Sequence, residues 1–358
     1  MKKFTKSTCM ALALAMSLSL LAGCGLAPNT DITGGSSSAP TANSTSLPAP
    51  APAKEAGLYI DGAKADVGTV LTIDGVEIGF DEYRYYFMNI LRQAQSGGTV
   101  DAKEIKDAVV SSLRTNVALV KMVEENKITL TDEEKAAVDK RLLDQKAGFP
   151  SEEEYKAAIS SAYFTEDILK KLAIDGETVT KLTATLFKDD IAENVAKNYV
   201  HAKHILIPFP EKPAAGADGA NSASAPKEDH SKELASANEV MDKIKAGESF
   251  EELMKTYSQD PGQPEEGYYF TTGKMVKEFE TAAFALKEGE VSDIVETSYG
   301  YHIIKKYPFE EKEMMKDPMT YMSEESYQKW IEEISKKGEA YDVKYCDLYE
   351  KITPDTMA

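Results

Sequence analysis

Cysteine is scarce in this chain. Cys9, Cys24 and Cys346 are the only three in 358 residues, too few for a disulfide framework or a cysteine zinc site. Tryptophan occurs once, at Trp330, and histidine four times. Positive charge is in deficit: 41 Lys and Arg face 60 Asp and Glu, for a net charge of −19, and no basic patch interrupts the acidic background. Such a surface repels phosphodiester backbones, so nucleic acid is not an expected partner. No apolar run reaches the roughly 20 residues needed to cross the hydrocarbon core of a bilayer. What is present, 42% hydrophobic and 28% charged residues, suits a folded acidic protein. At roughly 150 residues per domain its length allows about two compact units.

The N-terminus reads as an export signal. Lys2, Lys3 and Lys6 precede a short apolar stretch from Met10 to Leu21, and small residues follow at Ala22 and Gly23. Leu21-Ala22-Gly23-Cys24 resembles the lipobox of bacterial lipoproteins, in which the cysteine thiol receives a diacylglyceryl group and becomes the first residue after cleavage. The expectation is a signal peptide over 1–23, lipidation at Cys24, and a protein anchored to the outer, extracytoplasmic face of the cell membrane. Two acyl chains hold stably where one is marginal, each buried methylene contributing about 0.8 kcal/mol. Residues 24–57 are Ser, Thr, Ala and Pro with almost no large apolar side chain, and they cannot form a core. This segment reads as a tether, reaching about 100 Å fully extended and averaging about 30 Å as a coil.

From 58 to 199 the pattern is mainly helical. It opens with a hairpin, Thr69 to Ile73 and Val76 to Ile78, joined by Asp74-Gly75 as a primed two-residue turn. Tyr83, Phe87, Ile90, Leu91 and Ala94 then recur at helical spacing, as do Ile105, Val109, Leu113, Val117 and Val120. Thr131 with Glu134, and Ser151 with Glu154, have capping-box spacing, and Thr165 opens a further long helix. The region holds no His and no catalytic pairing, which suggests binding or scaffolding.

At Val200 the pattern turns to a strand, Val200-His201-Ala202-Lys203-His204-Ile205-Leu206-Ile207. Alternation along a strand sends His201 and His204 to opposite faces, so they cannot chelate one metal ion. No metal and no organic cofactor is expected. A Pro/Ala/Gly/Ser-rich insertion follows, then a helix from Glu233 to Lys245, Ser249-Phe250-Glu251-Glu252-Leu253, and Tyr257-Ser258-Gln259-Asp260-Pro261-Gly262. Next come Phe270, Gly273-Lys274-Met275, an apolar helix with Phe279, Ala282, Ala283, Phe284 and Leu286, and finally Tyr299-Gly300-Tyr301-His302-Ile303-Ile304-Lys305.

These motifs, in this order, resemble the parvulin-type peptidyl-prolyl isomerases over 200–308: a HIL strand, an FEEL helix, a YSxDPG turn, a GxM-to-FExAAFAL helix and a GYHIIK strand. With the lipobox and helical segments on both sides, the whole chain looks like a PrsA-type extracytoplasmic foldase, its N-terminal helical region similar to that of SurA. The resemblance implies an α+β fold. A small antiparallel sheet with covering helices would be inserted in a mainly helical chaperone domain made of 58–199 and 309–358. It also implies roles: His204 and His302 as paired histidines sharing a buried hydrogen-bond network, Asp260 facing the substrate amide, and Met275, Phe279, Phe270 and Thr297 binding substrate. Asp-Pro-Gly is a turn signal on its own account, so Asp260 has a structural reading beside the catalytic one. Two departures stand out. Gly267 replaces an apolar pocket residue of the family, ahead of Tyr268. The loop after Ile207 lacks the arginine cluster that would hold a phosphate, so phosphoserine-proline preference is not expected.

Beyond the isomerase-like region, Tyr327, Trp330, Ile331 and Ile334 share one face of a helix over 323–337 that Gly338 would stop, with an extended segment from Tyr341 to Tyr349. Trp330 is expected in the core against the N-terminal helices, and Cys346 as a buried, inert thiol. The function implied is a membrane-anchored foldase that binds unfolded, proline-containing exported chains and isomerises X-Pro bonds; a homodimer is compatible with it. The alternatives are a holdase with a degenerate isomerase domain, and a solute-binding lipoprotein, which would need two α/β lobes around a cleft.

Overall fold

A computed structural model describes residues 56–95, 101–210 and 229–357. The signal peptide, Cys24, nearly all of the tether and most of the insertion after Ile207 lie outside the described residues. The chain divides into two compact units. One joins the segments up to Leu186 and from Glu324; the other is Phe187–Ser323.

The first unit begins with two hairpins, β1 (Leu58–Ile60) with β2 (Ala63–Ala65) and β3 (Thr69–Ile73) with β4 (Val76–Gly79). Asp74 and Gly75 both have positive φ, 48° and 87°, the primed turn expected from the sequence. Five helices come next: α1 (Phe80–Gln95), α2 (Ala102–Glu125), α3 (Asp132–Ala147), α4 (Glu152–Ser161) and α5 (Glu166–Leu186). Thr131 and Glu134 form a complete capping box on α3, while Ser151 caps α4 with its own hydroxyl alone. Asp101, not singled out in the sequence, caps α2 by accepting from two backbone N–H groups.

The second unit starts at α6 (Lys188–Asn198) and the long strand β5 (Tyr199–Pro208). Then come α7 (Ser231–Lys245), α8 (Phe250–Tyr257), β6 (Tyr268–Thr271), α9 (Lys277–Ala285), β7 (Val295–Glu296) and β8 (Gly300–Tyr307). Two short helices, α10 (Glu311–Lys316) and α11 (Pro318–Tyr321), close it. The four strands form one antiparallel sheet in the order β6-β5-β8-β7. Ile205, Ile207, Tyr301 and Ile303 pack one face of it against α7 and α8. Val200, Ala202, Phe270 and Ile304 pack the other against α9.

The expected boundaries at 200 and 308 fall inside this unit. Helix α6 is tied to the segment C-terminal to β8: Asn194 Nδ2 donates to the Tyr321 and Met322 carbonyls at 3.0 and 3.2 Å, and Asp190 accepts the Ser323 N–H and hydroxyl. Tyr199, Phe309 and Tyr321 add edge-to-face ring contacts of 5.1 to 6.2 Å. Side chains on both flanks of the sheet therefore bury each other, and the unit ends where that burial ends.

The C-terminal segment returns to the first unit. Helix α12 (Glu324–Ala340) packs on α2 and buries Trp330 completely, and β9 (Val343–Tyr345) pairs with β3 to make a sheet of order β4-β3-β9. Cys346 is half-buried, with its N–H on the Val70 carbonyl. Among the described residues every strand pair is antiparallel, which does not fit the parallel α/β lobes of the solute-binding alternative.

Gly338 does not stop this helix, as its sequence position suggested; the helix runs on to Ala340. A Cβ at 338 would lie 2.9 Å from the Arg114 carbonyl oxygen, so glycine is there to let two helices approach. Gly338→Ala tests this. On helix propensity alone the change would stabilise by about 1 kcal/mol. The backbone collision outweighs that, and we expect a net loss of about 1–3 kcal/mol, read as a lower thermal midpoint in circular dichroism.

Candidate active site

Register and alternation assemble the site on the α9 face of the second unit. In β5 the residues Val200, Ala202, His204 and Leu206 share that face. Their partners across the ladders are Phe270 and Tyr268 on β6, and Ile304 and His302 on β8. His201 goes to the opposite face, where its ring bridges the Pro308 and Glu266 carbonyls at 2.8 and 2.7 Å and stacks on Tyr269. Among the described residues no group of three His, Cys, Asp or Glu side chains is placed to hold a metal ion.

His204 and His302 are both 5% exposed, and their rings meet edge to face with centroids 5.0 Å apart. A ring contact thus joins them where a shared hydrogen-bond network was expected. Neither nitrogen of His204 has a hydrogen-bond partner, nor does Nδ1 of His302. Nε2 of His302 lies 2.8 Å from the Thr297 hydroxyl. Thr297, expected at the substrate-binding side, is buried, and its side chain orients His302.

Asp260 forms the turn read from its sequence context and lies beside the histidine pair. Its Oδ1 accepts the Gly262 N–H at 2.9 Å, forming the turn. Its Oδ2 accepts the Tyr268 hydroxyl at 2.9 Å and sits 3.2 Å from Nε2 of His204, close enough for attraction though not aligned as a hydrogen bond. The loop bearing Asp260 is fastened to β5: Ser258 Oγ accepts the Leu206 N–H at 3.1 Å, the Gln259 N–H reaches the Leu206 carbonyl at 2.9 Å, and Gln263 Oε1 accepts the His204 N–H at 2.9 Å.

Phe279, from α9, sits edge-on to both histidines at 5.2 and 5.4 Å and faces Phe270 at 6.0 Å. Phe270 and Phe279 are buried, while Met275 is half-buried at the margin of their cluster. The residues expected at the site are thereby brought to one face of one sheet.

Tyr268 joins the site although the motifs did not mark it. Its ring stacks on His204 at 5.8 Å and its hydroxyl holds Asp260. A signal was available: on a strand, 268 has the same parity as Phe270, so both point to the same face. Gly267 has φ +94°, and a Cβ there would lie 2.7 Å from the Ala202 carbonyl oxygen. The apolar residue of the family pattern cannot stand on this backbone.

Burial decides the charge state of the pair. It pushes His302 down to about 4, helped by neighbouring His204 and opposed by Asp260. It also lowers His204, again against the pull of Asp260. Burial and the Asp260 contact raise Tyr268 to about 12. At neutral pH both imidazoles are neutral.

Parts of this chain are similar to known proteins. Residues 184–307 match the family model described as a PPIC-type PPIASE domain. This segment is similar to the PPIC-type isomerase domains. Over 219 residues the chain is 32% identical to the foldase protein PrsA of Oceanobacillus iheyensis, covering 59% of this chain and 64% of that protein. Over 96 residues it is 51% identical to PrsA of Geobacillus kaustophilus, covering 25% and 34%. The chain thus spans less than two thirds of the length of these curated relatives. Among solved structures, PrsA from Bacillus subtilis is 26% identical, with 78% of this chain and 95% of that chain covered at a TM-score of 0.32.

The second unit has a pH dependence set by its buried histidines. Because the folded-state value of His302 lies below the unfolded value of about 6.5, the unfolded chain takes up the proton first as pH falls. Stability is full above about pH 6.5 and declines towards the folded value near 4, by roughly 3 kcal/mol for His302. Thermal midpoints measured between pH 7.5 and 4 should show this fall, and the imidazole NMR signals of His302 should remain those of the neutral ring at pH 6.

Proposed function

We propose that this protein is a lipid-anchored extracytoplasmic foldase that binds unfolded exported chains and catalyses cis/trans exchange at X-Pro bonds (EC 5.2.1.8). The observation that carries the reading is the joint placement of a buried neutral histidine pair, the Asp260 carboxylate and the Met275–Phe279 side on one face of a four-stranded antiparallel sheet. The parvulin match over 184–307 and the identity with PrsA foldases support it.

The reaction breaks no bond. Rotation about a peptide bond faces a barrier of about 18–20 kcal/mol because the planar amide shares nitrogen electron density with the carbonyl oxygen. X-Pro exchange left to itself takes tens to hundreds of seconds. A catalyst must bind the twisted amide better than the planar one, each 1.36 kcal/mol of difference giving about tenfold in rate. Planarity places partial negative charge on the carbonyl oxygen, and twisting removes it. A carboxylate beside that oxygen therefore disfavours the planar form. Asp260 takes this role, Met275 and Phe279 hold the proline ring, and neutral His204 and His302 form the floor that orients the carboxylate. No proton needs to move, in keeping with two imidazoles that burial keeps uncharged.

The helical unit binds the client, and Cys24 supplies the membrane anchor. The clients are unfolded exported chains containing proline; a cofactor has no part in the reaction. The departure at Gly267 favours a second reading, a holdase whose isomerase domain keeps the fold without rate enhancement.

NMR exchange measurements on a short unphosphorylated X-Pro peptide separate the two. Residues 58–358 should accelerate exchange. Met275→Ala and Asp260→Ala, each still folded, should reduce the acceleration about tenfold or more. Unchanged exchange alongside suppressed aggregation of an unfolded client would favour the holdase. For the anchor, Cys24→Ser should abolish incorporation of labelled palmitate and move the protein from the membrane fraction to the medium.

A further inference from the structure

We propose that Tyr268 is a positioning residue of this site: its phenol fixes the Asp260 carboxylate against His204, and Gly267 is the residue that makes this possible. The inference rests on the isomerase reading above and adds to it a residue that reading does not use.

Asp260 sits in a loop between α8 and β6, and a carboxylate in a turn is free to rotate about its Cβ–Cγ bond unless both oxygens are held. The Gly262 N–H holds Oδ1 from within the same turn. The second restraint comes from another element. Tyr268, on β6 opposite Ala202, donates its hydroxyl to Oδ2 at 2.9 Å, and that same oxygen faces Nε2 of His204 at 3.2 Å. The phenol ring lies nearly parallel to the imidazole, at an interplanar angle of 14°, so a single side chain sets the orientation of the acid and covers the histidine.

Delivery of Tyr268 to this place depends on the residue before it. The loop descends onto β5 with Gly267 at φ +94°, its amide closing a turn to the Pro264 carbonyl at 2.9 Å. Any Cβ at 267 would meet the Ala202 carbonyl oxygen and Lys203 Cγ, both at 2.7 Å. With no side chain there, the chain enters β6 one residue later with Tyr268 pointing to the α9 face. Gly267 and Tyr268 therefore act as a pair: the apolar group lost from position 267 is answered by an aromatic ring with a polar tip at 268. The rise of the Tyr268 hydroxyl to about 12 accords with a phenol that stays a donor at every working pH.

The test compares wild type, Tyr268→Phe, Asp260→Ala and the double variant in the X-Pro exchange assay, with thermal midpoints measured alongside. Tyr268→Phe keeps the ring and its stacking and removes one O–H. We expect it to keep the wild-type midpoint within a few degrees and to lose about tenfold in kcat with little change in KM, the size of a hydrogen bond to a charged group. The double variant should be no slower than Asp260→Ala alone, because the phenol acts through that carboxylate. A purely packing role predicts instead that Tyr268→Phe matches wild type, or that the two losses multiply, and either result overturns the proposal. Absence of any acceleration by wild type overturns the isomerase reading itself, an outcome read in a separate arm from the Tyr268 comparison.

Discussion

Alternation of side chains along one strand sets the layout of the second unit. The strand Tyr199–Pro208 is bonded on both edges, to β6 and to β8, so its register cannot slip without breaking two ladders. Once it is fixed, every second residue belongs to one chemistry. Val200, Ala202 and His204 face α9 and the acid loop; Ile205 and Ile207 face α7 and α8 as core. Only two residues separate His201 from His204 in the sequence, and the two histidines lie on opposite sides of the sheet. One is held between two carbonyls, the other is bare beside a carboxylate.

The site places one carboxyl side chain beside two buried imidazoles. Two histidines are packed where imidazolium is disfavoured, and their contact with each other and with Phe279 is made through ring edges and faces. Asp260 is half-buried and is steadied by donors from two directions, the Gly262 amide and the Tyr268 phenol. Burial keeps the two imidazoles uncharged at neutral pH, and Asp260 is held in place by neutral donors.

The helical unit depends on a different constraint, closure by the distant end of the chain. Trp330 is buried as α12 packs on α2, Gly338 removes the atom that would block that approach, and β9 adds the third strand to the first hairpin. The Tyr59 N–H donates to the Thr356 carbonyl at 2.7 Å, pairing the beginning of this unit with its end. The two segments bury each other's apolar faces, which is how a separate domain can interrupt the chain between them.

Much of this was legible in the sequence because it depends on local rules. The Asp74-Gly75 turn, the Thr131–Glu134 cap, the amphipathic face carrying Trp330 and the two histidine-bearing strands all follow from spacing and residue type. The ordered motifs from His204 to His302 lie within the segment that matches the PPIC-type family model, and the fold brings both histidines, Asp260 and Phe279 together. Long-range contact decided the rest. Gly338 reads as a stop signal until the Arg114 carbonyl is found beside it. Thr297 reads as a ligand contact until its hydroxyl is seen on His302, and Gly267 as a lost pocket residue until Ala202 is seen beneath it. The domain edges at Phe187 and Ser323 come from hydrogen bonds between segments more than a hundred residues apart. Local sequence determines which backbone shapes are allowed and which faces are apolar; which of two roles a glycine, a threonine or a tyrosine plays depends on atoms that only the folded chain brings near.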